Sequence, residues 1–197
     1  MTRILLVRHG QSVWNADGRW QGQADPELTD LGLTQAAAAA GAIGSVDAMI
    51  SSPLQRAHRT ASIIAAAIGI EPVVSVDGLM ERSAGEWEGL TRPEIDHRYP
   101  GFLAERRRPP GYESDDSVLQ RAMVALDAIS AAVGQEADVV AVTHGGVIAT
   151  VTAHLGAERT VLGNLGAWWI GSGPSGWVLG ERVRLIDDDL VTVPGQI

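Results

Sequence analysis

Three short apolar runs in this chain break off in the same way. ILLV at 4–7 runs into Arg8-His9-Gly10, AMIS at 48–51 into Ser52-Pro53-Leu54-Gln55-Arg56, and VVAV at 139–142 into Thr143-His144-Gly145-Gly146. Runs of this length and composition, bounded by turn residues, read as buried strands. An arginine or histidine placed at the end of a buried strand loses hydration, which costs free energy unless a partner compensates it. All three clusters are expected on one edge of one sheet, with an anion as the compensating partner.

The rest of the pattern agrees with such a sheet. Strands at 3–7, 47–51, 71–75 and 138–143 alternate with helical stretches over 30–43, 53–68, 117–133 and 146–155. This alternation predicts an α/β three-layer sandwich with a mostly parallel central sheet, in which ligands collect beyond the carboxyl ends of the strands. AWWIGSG, GWVLGE and RVRLI near the C-terminus read as further strands in hairpin or edge positions. Trp168 and Trp169 then point to opposite faces. A length of 197 residues with 45% hydrophobic content and no internal repeat predicts a single domain over 1–197.

Composition excludes several classes of function. A net charge of −9 argues against nucleic acid, whose backbone requires a basic face. It leaves room for a small phosphorylated ligand. All 15 basic side chains are arginines, and although a codon bias accounts for the missing lysines, the planar guanidinium fork suits phosphate oxygens. With 0 cysteines there is no disulfide framework, no thiolate metal site and no thiol nucleophile. The first apolar run, Ile4 to Val7, is too short for a signal-peptide core and no later run spans a membrane, so a soluble cytoplasmic protein is expected.

Within SSPLQRAHRTA, Ser52 and Gln55 have capping-box spacing and Pro53 falls at the favoured first helical position, which puts Arg56 in the first turn near the sheet edge as a ligand contact. Arg59 could flank the site but reads as structural, facing solvent or an acidic neighbour. An isolated histidine is more often a satisfied structural residue than a functional one. His9 and His144, however, each follow a buried-type strand and precede a glycine that permits close backbone approach. His58, His97 and His154 lack that punctuation and read as structural or solvent-facing. Two histidines with Glu81 could ligate zinc, but Arg8 and Arg56 beside them would repel a dication, so no metal site and no cofactor are expected.

At this point the chain resembles the histidine phosphatase superfamily, also called phosphoglycerate mutase-like. RHGQSVWN, QGQADPELTDLGLTQA, SSPLQRAHRTA, LMERSAGEWEGLT and VTHGG stand in that family's order and spacing. The resemblance implies that His9 is the nucleophile taking the phosphoryl group and that Arg8, Arg56 and His144 bind its oxygens. It further implies that Asn15 adds a hydrogen bond, that Gln21, Gly22 and Gly145 contact substrate, and that Glu81 gives a proton to the leaving oxygen. Glu86 and Glu88 of GEWEG are rival carboxylates that otherwise belong to a solvated turn. Gln11 replaces a frequent glutamate, and Tyr112 stands where many relatives carry a second glycine, which leaves the shape of that substrate-side loop open.

The chemistry is consistent with the resemblance. A neutral imidazole is an adequate nucleophile when its other nitrogen is held, for instance by a carbonyl in the Gly10 turn. Phosphoryl transfer then needs positioning and cationic stabilisation, which arginines supply without magnesium. The segment from 82 to 117 reads as a substrate-side cap, short beside the insertion of the classical cofactor-dependent mutases. Lid length governs water access, so a phosphomonoesterase is expected, with a cofactor-dependent phosphoglycerate mutase as the alternative and a non-catalytic phospholigand-binding protein as a remote one. QGQ, the LGxWxGLT-like stretch and the C-terminal tryptophans are similar to the actinobacterial branch that hydrolyses glucosyl-3-phosphoglycerate, which points to a phosphorylated sugar acid. Trp14, Trp20 and Trp87 either face such a substrate or line the core beneath it. The expected partner is a small phosphorylated substrate, not nucleic acid or membrane, with a homodimer as an allowed assembly.

Overall fold

The structure, a computed structural model, describes residues 1–193. Strand β1 (Arg3–Arg8) shows how the sequence builds three layers. Along it, Ile4 and Leu6 enter one hydrophobic cluster and Leu5 and Val7 enter a second, as the period of a strand requires. In β4 (Asp138–Thr143), Val139 and Ala141 join the first cluster and Val140 and Val142 the second. Both strands are therefore apolar on both faces, the mark of a sheet covered on each side.

Six strands form one sheet in the order β3-β2-β4-β1-β5-β6, with β2 at Ala48–Ser51, β3 at Val73–Ser75, β5 at Gly166–Gly173 and β6 at Gly176–Arg184. The pairs β2·β3, β2·β4 and β4·β1 are parallel, and β5 and β6 add an antiparallel hairpin. The mostly parallel α/β sheet is the one expected. GWVLGE and RVRLI are not two strands. A bulge between Trp168 and Ile170 lets β6 run unbroken to Arg184, and Leu185 and Ile186 beyond it turn into the second core. Trp169 pairs with Leu5 and Trp168 with Leu6, so the two indoles take opposite faces.

Helices α5 (Asp115–Val133) and α6 (Gly145–His154) cover one face through Val118, Leu126, Ile148 and Val151. Helices α2 (Asp30–Ala40) and α3 (Gln55–Ile68) cover the other. The run of alanines at 36–40 packs against α3: Ala39 and Ala40 meet Ala57, Ala61 and Ala65 in the second cluster, small faces that let the two helices lie close. The helix α1 (Val13–Ala16) and α4 (Arg92–Arg98) complete the set.

Helix α3 differs from expectation at its start. It begins at Gln55 with Leu54 as its cap, because the Ser52 hydroxyl lies 2.8 Å from His144 Nε2 and Gln55 binds Asp25, so the two ends of the expected capping box go elsewhere. Between 84 and 112 the chain makes a 3₁₀ turn at Gly85–Trp87 and then α4, opened by a capping box between Thr91 and Glu94. Trp87 is fully buried in a third cluster with Ala84, Leu90 and Ile95, its ring edge-on to Trp20 and Tyr112 at 5.8 Å each. Truncating Trp87 to alanine is expected to cost about 3–5 kcal/mol. Among the described residues no helix is long and apolar enough to cross a membrane.

Candidate active site

Parallel pairing brings the ends of β1, β2 and β4 to one edge: Arg8 stands opposite Thr143, and Ser51 opposite Val142. A cavity of about 860 Å³ opens there, with Arg8, His9, Arg56, Glu81, Gln21 and Gly145 among its lining residues. The three sequence clusters thus converge as expected.

His9 is 2% exposed, and its Nδ1 lies 2.6 Å from the carbonyl oxygen of Gly10. A carbonyl only accepts, so Nδ1 carries the proton and Nε2 keeps its lone pair. Burial, followed by the charges of Arg56 and Arg8, holds the His9 pKa well below its ordinary value, so the ring is neutral. Gly10 is needed for this turn, since a Cβ there would sit 2.6 Å from the Gly32 carbonyl oxygen.

The two guanidiniums are buried and latched by main-chain oxygens. Arg8 donates to the Leu162 carbonyl; Arg56 donates to the carbonyls of Gly22 and Ala24 at 2.8 Å each. Burial lowers both pKa values to about 10, with Glu81 opposing the shift in each case. They remain cationic at neutral pH, and the Nε of each is buried with no protein partner. Arginine in such a place costs free energy that an anion would return.

Glu81 is half-buried and held at both oxygens, Oε1 accepting from the Arg82 N–H at 2.8 Å and Oε2 from the Gly146 N–H at 3.1 Å. A side chain at Gly146 would strike it, because a Cβ there would lie 2.4 Å from Glu81 Oε1. The rival carboxylates are occupied elsewhere. Glu86 is exposed and accepts from the Tyr99 hydroxyl at 2.6 Å, and Glu88 accepts from the N–H groups of Gln23 and Ala84.

Asn15 and His144 are buried next to the His9 segment, Asn15 through the shared Asn164 amide and His144 ring against ring. Asn15 Oδ1 accepts from the Ser12 N–H and from Asn164 Nδ2, leaving its own Nδ2 buried and unpartnered. Gln21 Oε1 accepts from the Ser12 hydroxyl at 2.8 Å, so the two expected polar contacts share one support. The His144 ring lies 5.1 Å from that of His9, centroid to centroid, with Nδ1 buried and unpartnered. Burial, then Arg56, His9 and Arg8, push its pKa well below the usual value. Arg59 is exposed, and His58 instead bonds the Ser51 hydroxyl at 3.1 Å.

Sequence reasoning missed Asn164, which donates to the His9 carbonyl at 2.9 Å and is itself oriented by Thr192. It also missed three arginines of the outer wall. Arg82, Arg106 and Arg108 line the cavity, and the Arg108 guanidinium sits 4.9 Å from the Tyr112 ring centroid and 5.6 Å from that of Trp87. Trp20 lines the cavity, whereas Trp14 packs over Gly89 and Trp87 belongs to the core beneath. Among the described residues no three histidine, aspartate or glutamate side chains gather as a metal site.

Fold and site together define a class: α/β proteins that set a neutral imidazole beside two buried guanidiniums at the carboxyl edge of a mostly parallel sheet. The sequence pattern of the histidine phosphatase superfamily (branch 1) matches residues 4–165, and the chain belongs to that superfamily. A bifunctional protein of Mycobacterium tuberculosis is 42% identical over 154 residues, 73% of this chain but only 41% of that protein's length. The metal-independent phosphoserine phosphatase of Arabidopsis thaliana is 38% identical over 161 residues, covering 77% of this chain and 67% of its own. A mycobacterial glucosyl-3-phosphoglycerate phosphatase solved in complex with VO3 superposes with a TM-score of 0.82 at 32% identity, over 92% of this chain and 99% of that one.

Proposed function

We propose that the protein is a phosphomonoesterase that hydrolyses a small phosphorylated metabolite through a phosphohistidine on His9. The observation that supports this best is the bare Nε2 of a neutral, buried His9 beside two buried guanidiniums. In the first step Nε2 attacks phosphorus, the P–O ester bond breaks, and Glu81 gives its proton to the leaving oxygen. In the second, Glu81 takes a proton from water as that water attacks phosphorus, and the P–N bond breaks to release phosphate. Arg8, Arg56, His144 and Asn15 hold the phosphoryl oxygens, while Gln21, Gly22 and Gly145 border the substrate.

Seven of the chain's 15 arginines line the cavity, Arg8, Arg56, Arg82, Arg92, Arg106, Arg108 and Arg159, against two carboxylates, Glu81 and Asp115. That excess favours a substrate with an anionic group beyond its phosphate, such as a phosphorylated sugar acid. The two phosphatase relatives point the same way, since phosphoserine and glucosyl-3-phosphoglycerate each bear a carboxylate. Residues 82–117 supply most of the outer wall and act in this reading as a cap over the substrate. Cytoplasmic location belongs to the same reading on sequence grounds, and a homodimer is an assembly it allows.

The test is to quench turnover and seek acid-labile, base-stable phosphate on the protein. His9→Ala should abolish the label, and turnover by about 10⁴-fold or more, while the fold persists. Label surviving in that variant overturns the assignment. A panel of phosphometabolites should yield inorganic phosphate, whereas interconversion of phosphoglycerates that depends on 2,3-bisphosphoglycerate would make the protein a mutase.

A further inference from the structure

Ser52, drawn away from its expected helix cap, has an unexplained partner in His144. We infer that the Ser52 hydroxyl fixes the tautomer of His144, placing the ring proton on Nδ1, where it can be offered to a phosphoryl oxygen. Ser52 is thus a positioning residue that acts through His144, and its mechanistic meaning rests on the phosphohistidine reading above.

Both side chains are 0% exposed, and Nε2 lies 2.8 Å from Oγ. A serine hydroxyl has one proton and two lone pairs. One lone pair accepts the Leu54 N–H at 3.3 Å, so the hydroxyl proton and the ring nitrogen must settle the other contact between them. If Nε2–H donated to Oγ, the serine proton would be left buried with no acceptor among the described residues, and Nδ1 would present a lone pair to an anion site. If Ser52 donates to Nε2, the hydroxyl proton has its acceptor and Nδ1–H becomes the free donor. Buried polar groups settle in the arrangement that leaves fewest unpaired. The ring is neutral for the reasons given above, so only one nitrogen bears a proton and the choice matters.

His9 shows the complementary device. There a carbonyl, which only accepts, leaves Nε2 bare; at His144 a hydroxyl able to donate leaves Nδ1 protonated. The two neighbouring imidazoles are then the same Nδ1–H tautomer held by opposite ends, so that one leaves its lone pair free and the other its proton.

The test is ¹⁵N NMR of the histidine-labelled full chain, with Ser52→Ala and Ser52→Thr compared. The wild type should show His144 protonated at Nδ1 and bare at Nε2, and Ser52→Ala should move proton density to Nε2 while the His9 signals, the control for folding, stay put. Turnover should fall in Ser52→Ala by about 10- to 100-fold, as is usual for the hydrogen-bond partner of a functional histidine, with KM little changed. The loss should be equal for alkyl phosphates and p-nitrophenyl phosphate, because the phosphoryl end is common to both, and Ser52→Thr should restore tautomer and rate. Wild-type His144 protonated at Nε2, or an unchanged tautomer in folded Ser52→Ala, overturns the inference. Because the wild-type spectrum is read on resting protein, it decides the tautomer even if Ser52→Ala does not fold or the chain shows no phosphatase activity.

Discussion

At the inner end of the cavity every group that would meet the phosphoryl oxygens is latched by main chain or buried polar partners: Arg8 by the Leu162 carbonyl, Arg56 by Gly22 and Ala24, His9 by Gly10 and His144 by Ser52. At the outer end Arg106 and Arg108 come from a stretch of turns and are exposed, and Arg108 is oriented by the faces of Tyr112 and Trp87. The inner groups sit on or just after strands whose positions the whole sheet determines. The outer ones sit on a segment with its own small aromatic core. A site can therefore keep its chemistry rigid and vary its choice of substrate separately, provided that the two halves respond differently to change.

The largest effect that could break this division is at Glu81, the proposed proton donor between the halves. Glu81→Gln should lower turnover of alkyl phosphates by about 10²- to 10⁴-fold, and far less with p-nitrophenyl phosphate, whose leaving group is stable as an anion. Glu86→Gln and Glu88→Gln should show no dependence on leaving group. Equal losses at Glu81 on both substrates would move the acid elsewhere.

Next comes the inner latch. Arg56→Lys keeps the charge but loses the fork that spans two carbonyls, and steady-state kinetics should show a loss of about 10²- to 10³-fold on every substrate alike. A loss confined to some substrates would place Arg56 in the specificity half.

A smaller effect appears in stability. His9 and His144 have pKa values below those of the unfolded chain, so as pH falls below about 6.5 the unfolded chain takes up protons that the native state refuses. Stability should then fall by up to roughly 1.4 kcal/mol per histidine per pH unit, which thermal unfolding at pH 7.0 and 5.5 will show. Flat stability across that range would mean that the rings are hydrated.

The smallest effect belongs to the outer wall. Arg108→Ala should raise KM for a phosphorylated acid by at most about fivefold, the range of one exposed charge pair, and leave p-nitrophenyl phosphate kinetics unchanged. Losses on both substrates would show that the halves are not separable.

The same division explains what could be read from the sequence. The strand ends at Arg8, Thr143 and Ser51 were legible because buried strands have a compositional pattern and parallel pairing then leaves little choice of edge. Ser52 was misread because a capping box is a local pattern, while its true partner lies 92 residues away. Asn164 escaped for the same reason: its importance depends on contacts with His9 and Asn15 that only the fold creates. Helix α4 did have a signal, Thr91 with Pro93 and Glu94, but its 7 residues are too few for hydrophobic periodicity to announce it. Arg108 carries no mark within the run at 106–108 that separates it from Arg107, which pairs with Glu105 instead.

The partner chosen for His9 bears on the second half of the proposed cycle as much as on the first. A carboxylate at Nδ1 would make the imidazole more basic and the attack faster, but the nitrogen that attacks must later depart. Gly10 offers an uncharged oxygen, so the ring is steered while its basicity is raised less than a carboxylate would raise it. Imidazole then stays a good leaving group, and the phosphorylated enzyme is kept reactive toward water, so that the covalent intermediate does not become a thermodynamic sink.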